Sequence, residues 1–323
     1  MEYAHLGRTG LQVSRLVLGT MNFGPETSES DAFAIMDKAH EVGLNFFDTA
    51  NVYGWALGEG ITEQIVGRWF AQGGARRERT VLATKLYGSM GNWPNEGRIS
   101  ALHIRRACEG SLRRLQTDHI DIYQIHHVDR EAPWDEVWEA MDVLRHQGKI
   151  IYVGSSNFAG WHLVQAQEAA RRLGTLGLVS EQSRYSLFQR AIELEVLPAA
   201  QAYGIGVIAY SPLHAGLLSG VIGPGTEGSR RHRDTALAGL ESHRGQIEQF
   251  ESLCAKLGAK PATVALAWML GRPGVTGPII GPRTMGQLEG ALDALELTLD
   301  QPSLERLDEI FPGHKPAPED YAW

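Results

Sequence analysis

A (β/α)8 barrel is the fold class that this 323-residue sequence predicts, and three observations predict it. Eight short runs rich in β-branched and aromatic residues recur along the chain. The first seven lie roughly 27 to 40 residues apart, the space that one strand, one helix and two loops fill. The segments between them carry apolar residues at helical period. No G-x-G-x-x-G follows the first run, RLVLGTMNFG, which disfavours a doubly wound sheet with a dinucleotide-binding turn. Barrels of this length are commonly one unit, so residues 1–323 are expected to form a single domain.

Each element follows in order. MEYAHLGRTGLQVS reads as two short strands joined at Arg8, Thr9 and Gly10, a hairpin able to plug the barrel floor. RLVLGT around Val17 is the first barrel strand. A helix over 31–42 follows, with Ala32, Ile35, Met36, Ala39 and Val42 on one face, Ser30 and Asp31 as caps and Gly43 as its stop. NFFDTA around Phe46 and TVLATK around Leu82 are the second and third strands. Ile104, Cys108, Leu112 and Leu115 then mark a helix whose Arg105, Arg106, Arg113 and Arg114 lie on the solvated side. IDIYQIH around Ile122, KIIYVGSS around Ile151, LGLVSEQ around Val179 and GIGVIAYS around Val207 are strands four to seven. The letters of 204–209 fit G-x-G-x-x-A, but the residues after Gly206 continue a strand, which is the wrong geometry for a phosphate turn. The last gap, roughly 70 residues, holds an irregular stretch over 216–234 and an extra helix over 246–257, with Ile247, Phe250, Leu253 and Leu257 on one side. TGPIIG around Ile279 is the eighth strand.

Composition narrows the function classes. Thirty Lys and Arg against 38 Asp and Glu leave a net charge of −8, which repels phosphate backbones and anionic lipid. Nucleic-acid and membrane-surface partners are therefore not expected. Cys108 and Cys254 have no metal-ligand spacing and read as reduced core thiols. No apolar run approaches the roughly 18 residues that span a bilayer, and the N-terminus lacks a signal-peptide core, so a cytoplasmic protein is expected.

Barrel chemistry gathers at the carboxyl ends of the strands. Read in order, those ends present Asp48 with Tyr53 five residues on, then Lys85, then His126. Ser155, Ser156 and Asn157 follow, then Glu181 and Gln182, Tyr210 and Ser211, and Gly281 with Arg283. Singly, each has a structural explanation as a cap, a packing residue or a rim ion pair. Together on strands two to four they suggest proton transfer. A lysine favours the phenolate of a nearby tyrosine and lowers its pKa, an aspartate holds the lysine, and a histidine orients a carbonyl.

LGRTGLQVSRLVLGTMNFG, NFFDTANVYG, VLATK, DIYQIHHVD, IYVGSSNF, VSEQSRYSLF, IAYSPLHAGLLSG and PIIGPRTMGQL, in that order, resemble the aldo-keto reductase superfamily over nearly the full length. The resemblance is strongest to the bacterial branch related to the voltage-gated potassium channel β-subunits. It implies a TIM barrel that binds NADP(H) in extended form without a Rossmann fold. It assigns Tyr53 as general acid, Lys85 and Asp48 as the groups tuning it, and His126 as the group positioning the carbonyl. Ser155, Asn157 and Gln182 would hold the nicotinamide carboxamide, and Tyr210 would stack on the ring. Ser211, Leu213, Gly216 and Leu218 would line the pyrophosphate, and Arg283 would face the 2′-phosphate. Gly19, Thr20, Met21, Gly281 and Gln287 complete the implied cofactor set. Met21, Phe23, Trp55, Trp93 and His127 would line the substrate mouth.

The implied reaction is reduction of an aldehyde or ketone. Retention of His126, where enoyl-reducing relatives can carry Glu, favours the carbonyl. A nucleotide-sugar keto- or enoyl-reductase and a redox-sensing regulatory subunit stay open, as does a homo-oligomer. Two departures stand out. Gly290 and Ala291 replace the acidic and Asn residues with which relatives reach adenine, and Arg230, Arg231 and Arg233 make one segment unusually basic. Tyr321, Ala322 and Trp323 are expected to staple the tail to the barrel.

Overall fold

The structure, a computed structural model, describes residues 1–54, 58–222 and 234–322. Eight parallel strands close a barrel: β3 (Val17–Gly19), β4 (Phe46–Asp48), β5 (Val81–Leu86), β6 (Ile120–Ile125), β7 (Ile150–Ser156), β8 (Leu178–Arg184), β9 (Gly206–Tyr210) and β10 (Val275–Ile280). They pair in chain order, and β10 returns to β3. The eight strands and their order are those the sequence predicts. Helices α1 (Glu29–Glu41), α2 (Ile61–Phe70), α3 (Ala101–Leu115), α4 (Trp134–His146), α5 (Gly160–Arg172) and α6 (Val196–Tyr203) connect successive strands from β3 to β9. The last connection carries two helices, α7 (Asp234–Lys256) and α8 (Pro261–Leu270), and α9 (Met285–Leu292) and α10 (Gln301–Ile310) follow β10. Among the described residues no helix is long and apolar enough to cross a membrane.

Alternation along the strands divides the barrel interior into two storeys. The lower storey is apolar: Val17, Phe46, Ala83, Ile122, Val179 and Ile208 form one buried cluster. Two residues further along their strands come Asp48, Lys85 and Gln124, all buried and polar. The N-terminal hairpin of β1 (Tyr3–His5) and β2 (Gln12–Ser14) closes the floor, because its Leu6 and Val13 join the lower cluster. Gly7 makes that closure possible. At φ +55° its missing Cβ would stand 2.4 Å from the Gly204 carbonyl and 2.7 Å from the Gly206 nitrogen. The Arg8 guanidinium donates to the carbonyls of Tyr203 and Leu176, and its amide donates to Gly204.

Pairing of β7 with β8 runs Val153 to Leu178 and then Gly154 to Ser180, so β8 carries one extra residue. Such a bulge reverses which residues face inward. Beyond it Gln182 points into the barrel, while Glu181 and Ser183 point out with Ser155.

Several local expectations are corrected. Ser28 caps α1 by accepting from the Asp31 amide, rather than Ser30 or Asp31. Arg114 leaves the solvated face of α3: its Nε donates to fully buried Glu63 at 2.7 Å, and Glu63 accepts from Thr84 Oγ1 at 2.6 Å. The extra helix begins at Asp234 rather than 246. Of the predicted tail staple, Tyr321 is 72% exposed. The tail is held earlier, where Phe311 is buried, the His314 amide donates to Glu193, and the Ala317 amide donates to the Leu194 carbonyl. Cys108 and Cys254 are buried free thiols, each pushed up to about 12 by desolvation. Trp55, Trp323 and the Arg230, Arg231 and Arg233 segment lie outside the described residues.

Candidate active site

Asp48, at the inward end of β4, organises the upper storey. Its Oδ2 accepts from Lys85 Nζ at 2.6 Å, and its Oδ1 accepts from the side-chain amides of Gln124 at 3.0 Å and Gln182 at 2.8 Å. Lys85, fully buried at the end of β5, also donates to the Thr49 carbonyl at 2.9 Å and to the Tyr53 hydroxyl at 3.1 Å. Its three protons thus have three acceptors, which makes a buried ammonium tolerable.

Tyr53 reaches that point because the chain after β4 keeps pairing with β5: Thr49 donates to the Ala83 carbonyl and Asn51 to that of Lys85. Gly54 then turns the chain at φ +112°, where a Cβ would stand 2.7 Å from Ile61 Cβ. The Thr62 amide at the start of α2 donates to the Tyr53 carbonyl at 3.4 Å, and the Arg114–Glu63–Thr84 contacts pin α2 to α3 and β5. His126 follows β6, its amide on the Leu86 carbonyl at 2.8 Å and its ring edge-on to Tyr53 with centroids 6.0 Å apart.

The electrostatics differ from expectation in one respect. Burial, assisted by Asp48, raises the Tyr53 pKa and outweighs the lowering by Lys85, so the phenol keeps its proton. Burial pulls the Lys85 pKa down, but Asp48 and Tyr53 together carry it above the ordinary value, so the ammonium stays charged. His126 falls to about 3 through burial and the adjacent Lys85, so its imidazole is neutral. A protonated phenol beside a fixed cation and a neutral imidazole can hand a proton to an oxygen that is gaining negative charge.

The neighbouring strand ends and the loops beyond them hold most of the other predicted residues, and Ser155 and Phe23 are re-aimed. Ser155 faces outward, its hydroxyl 2.5 Å from Glu181, while Ser156 faces inward beside Asn157. Glu181 also accepts from Ser183 Oγ and the Phe158 amide, and burial pushes its carboxyl up to about 7. Asn157, at φ +60°, donates to the His126 carbonyl and Ser156 Oγ and accepts from the Tyr210 hydroxyl at 2.9 Å. It therefore links the ends of β6, β7 and β9.

After β9, Ser211, His214, Ala215 and Gly216 all adopt positive φ, three of them with side chains that disfavour it. Leu213 is half-buried, and Leu218 is sealed in the core. Gly19 is buried where a Cβ would meet Ile279, and Thr20 braces the site by donating to the Asp48 carbonyl from both nitrogen and hydroxyl. Gly281 is exposed and accepts from the Asn22 amide, and Gln287 Oε1 accepts from the Arg283 amide at 2.8 Å. The Arg283 guanidinium lies 3.1 Å from Glu26.

At the mouth Met21 is half-buried, His127 is exposed against Tyr87, and Trp93 is 78% exposed. Phe23 is not at the mouth. It is sealed among Ala32, Ile35 and Ile65, because the loop after β3 folds over the α1 and α2 core. Sequence reasoning missed Gln124. The available signal was an amide on the inward parity of an apolar strand, two residues before His126.

Comparison with known proteins places these features in a family context. The profile of the Aldo/keto reductase family matches residues 15–311. The chain is 55% identical, over the full length of both, to "Uncharacterized oxidoreductase YrpG" of Bacillus subtilis (strain 168). It is 32% identical to "Versiconal hemiacetal acetate reductase" of Aspergillus parasiticus, over 98% of this chain and 100% of that one. It is also 32% identical to "Probable voltage-gated potassium channel subunit beta" of Oryza sativa subsp. japonica, over 92% of each.

Proposed function

The chain belongs to the aldo/keto reductase family, and from that premise we propose that it reduces an aldehyde or ketone to an alcohol, with Tyr53 as the proton donor and a nicotinamide coenzyme, NADP(H), as the partner. The observation that carries this is the Lys85 ammonium held within 2.6 Å of Asp48 and 3.1 Å of the Tyr53 hydroxyl. The donor set fits the coenzyme. Gln182 spends its amide nitrogen on Asp48, which leaves its oxygen to accept from a carboxamide NH2, and Asn157 Oδ1, which accepts from the Tyr210 hydroxyl, has a second lone pair for the same group. The left-handed turns at Ser211 to Gly216 bring backbone close to a pyrophosphate, and Arg283 supplies the positive charge that a phosphate needs. When bound, the nicotinamide supplies the hydride.

The chain's own residues do the rest. His126, neutral, donates to the substrate oxygen and holds it near the Tyr53 hydroxyl. As hydride reaches the carbonyl carbon, Tyr53 gives its proton to the oxygen, and the alcohol forms with both electrons and the proton accounted for. Lys85 stabilises the phenolate left behind, and Asp48 keeps Lys85 in place. One relative is named a reductase, versiconal hemiacetal acetate reductase, which accords with a reduction here.

Tyr53→Phe tests the assignment. Turnover with NADPH across a panel of aldehydes, diketones and trioses is expected to fall by roughly 10²-fold or more. NADPH binding, measured by fluorescence, is expected to stay unchanged. Retained turnover in that variant would remove Tyr53 from the mechanism.

A further inference from the structure

The cation that would hold a 2′-phosphate is already paired. Arg283 Nη1 lies 3.1 Å from Glu26 Oε2, with the two side chains only 21% and 12% exposed. Glu26 has little freedom to withdraw. Its amide and that of Thr27 both donate to the Asn22 carbonyl at 3.0 Å, which closes the loop between β3 and α1. That loop is in turn tied to the segment after β10, where Asn22 Nδ2 donates to the Gly281 carbonyl at 2.8 Å and Thr27 Oγ1 to the Arg283 carbonyl at 3.4 Å.

We infer that Glu26 sets the coenzyme selectivity of this site, holding down the preference for the 2′-phosphorylated form. The inference rests on the coenzyme assignment made above for Arg283. A phosphate dianion arriving at Arg283 must share it with a fixed carboxylate, and two like charges meet in a partly desolvated corner. The unphosphorylated coenzyme meets the opposite situation: its ribose 2′-hydroxyl is a donor, and a carboxylate is the acceptor suited to it. One ion pair thus offers a donor to the phosphate and an acceptor to the hydroxyl. The protein binds both coenzymes, with NADPH favoured by less than a lone Arg283 would give.

Isothermal titration of the full chain with NADPH, NADH, 2′-AMP and 5′-AMP tests this without relying on turnover. NADPH and NADH are expected to bind the native protein with Kd values within about tenfold of each other. Glu26→Gln, which keeps size and removes charge, is expected to tighten NADPH and 2′-AMP by about tenfold or more while leaving NADH and 5′-AMP unimproved. Arg283→Ala is expected to weaken only the 2′-phosphorylated ligands. If Glu26→Gln shifts both coenzymes equally or shifts neither, while Arg283→Ala still discriminates, the role of Glu26 is overturned and the coenzyme assignment stands. Failure of the native protein to bind either coenzyme overturns both.

Discussion

Asp48 receives three side-chain donors in a space from which water is excluded, and those contacts hold its carboxylate in one orientation. Four of its residues were legible because each ends a strand or stands just beyond one: Asp48, Tyr53, Lys85 and His126. Gln124 was not, because the fourth strand reads as ending at His126, two residues further on, whereas the structure ends it at Ile125 and pairs Gln124 with Lys85. Nor was the choice between Ser155 and Ser156, because it depends on parity and no residue type marks it. The depressed pKa of His126 has a measurable sign. The folded protein keeps this imidazole neutral down to about pH 3, whereas the unfolded chain protonates it near 6.5. The associated stability is therefore complete above pH 6.5 and is lost as pH falls from there toward 3. Between pH 7.5 and 5, native protein should lose about 1–2 kcal/mol more than His126→Asn in urea unfolding. Equal losses would show that burial of this histidine has no energetic consequence.

At the scale of elements, strands and periodic helices were visible while their ends and irregularities were not. The helical period over 246–257 identified the second half of α7, where Ile247 and Phe250 are buried and Leu253, with Leu257 just beyond the helix, packs partly buried against the core. α8 has no amphipathic period to detect, since seven of its ten residues are buried. The β8 bulge left no trace in composition, yet it turns Gln182 toward Asp48 and Glu181 away. The hairpin was legible from its Arg8-Thr9-Gly10 turn, although the glycine that fits it to the floor is Gly7. Gly7→Ala adds a Cβ at positive φ within 2.4 Å of a carbonyl oxygen. Stability is expected to fall by about 2 kcal/mol or more. Turnover at the far end of the barrel is expected to change by less than about twofold. Unchanged urea stability would mean that the hairpin does not pack as described.

Over the whole molecule, a buried polar hub joins segments distant in sequence. Arg190 donates to Glu193 at 2.9 Å, to Asp308 at 2.5 Å and to the Phe311 carbonyl at 2.8 Å, and Glu193 also receives Tyr185, Arg272 and the His314 amide. The hub fastens the chain after α10 to the connection between β8 and α6. Arg190→Met should cost about 1–3 kcal/mol, because the buried Phe311 carbonyl loses its donor and Glu193 keeps only Arg272 as a cation. Residues 308–317 should then exchange their amide hydrogens sooner than the barrel strands do. Uniform exchange across the chain would argue against a local clasp.

The stoppered floor has a consequence for traffic. With Leu6 and Val13 filling one end of the barrel, whatever meets at Tyr53 must enter and leave by the same opening. Two reactants that share a door form a queue: the one lodged deeper has to arrive first and depart last.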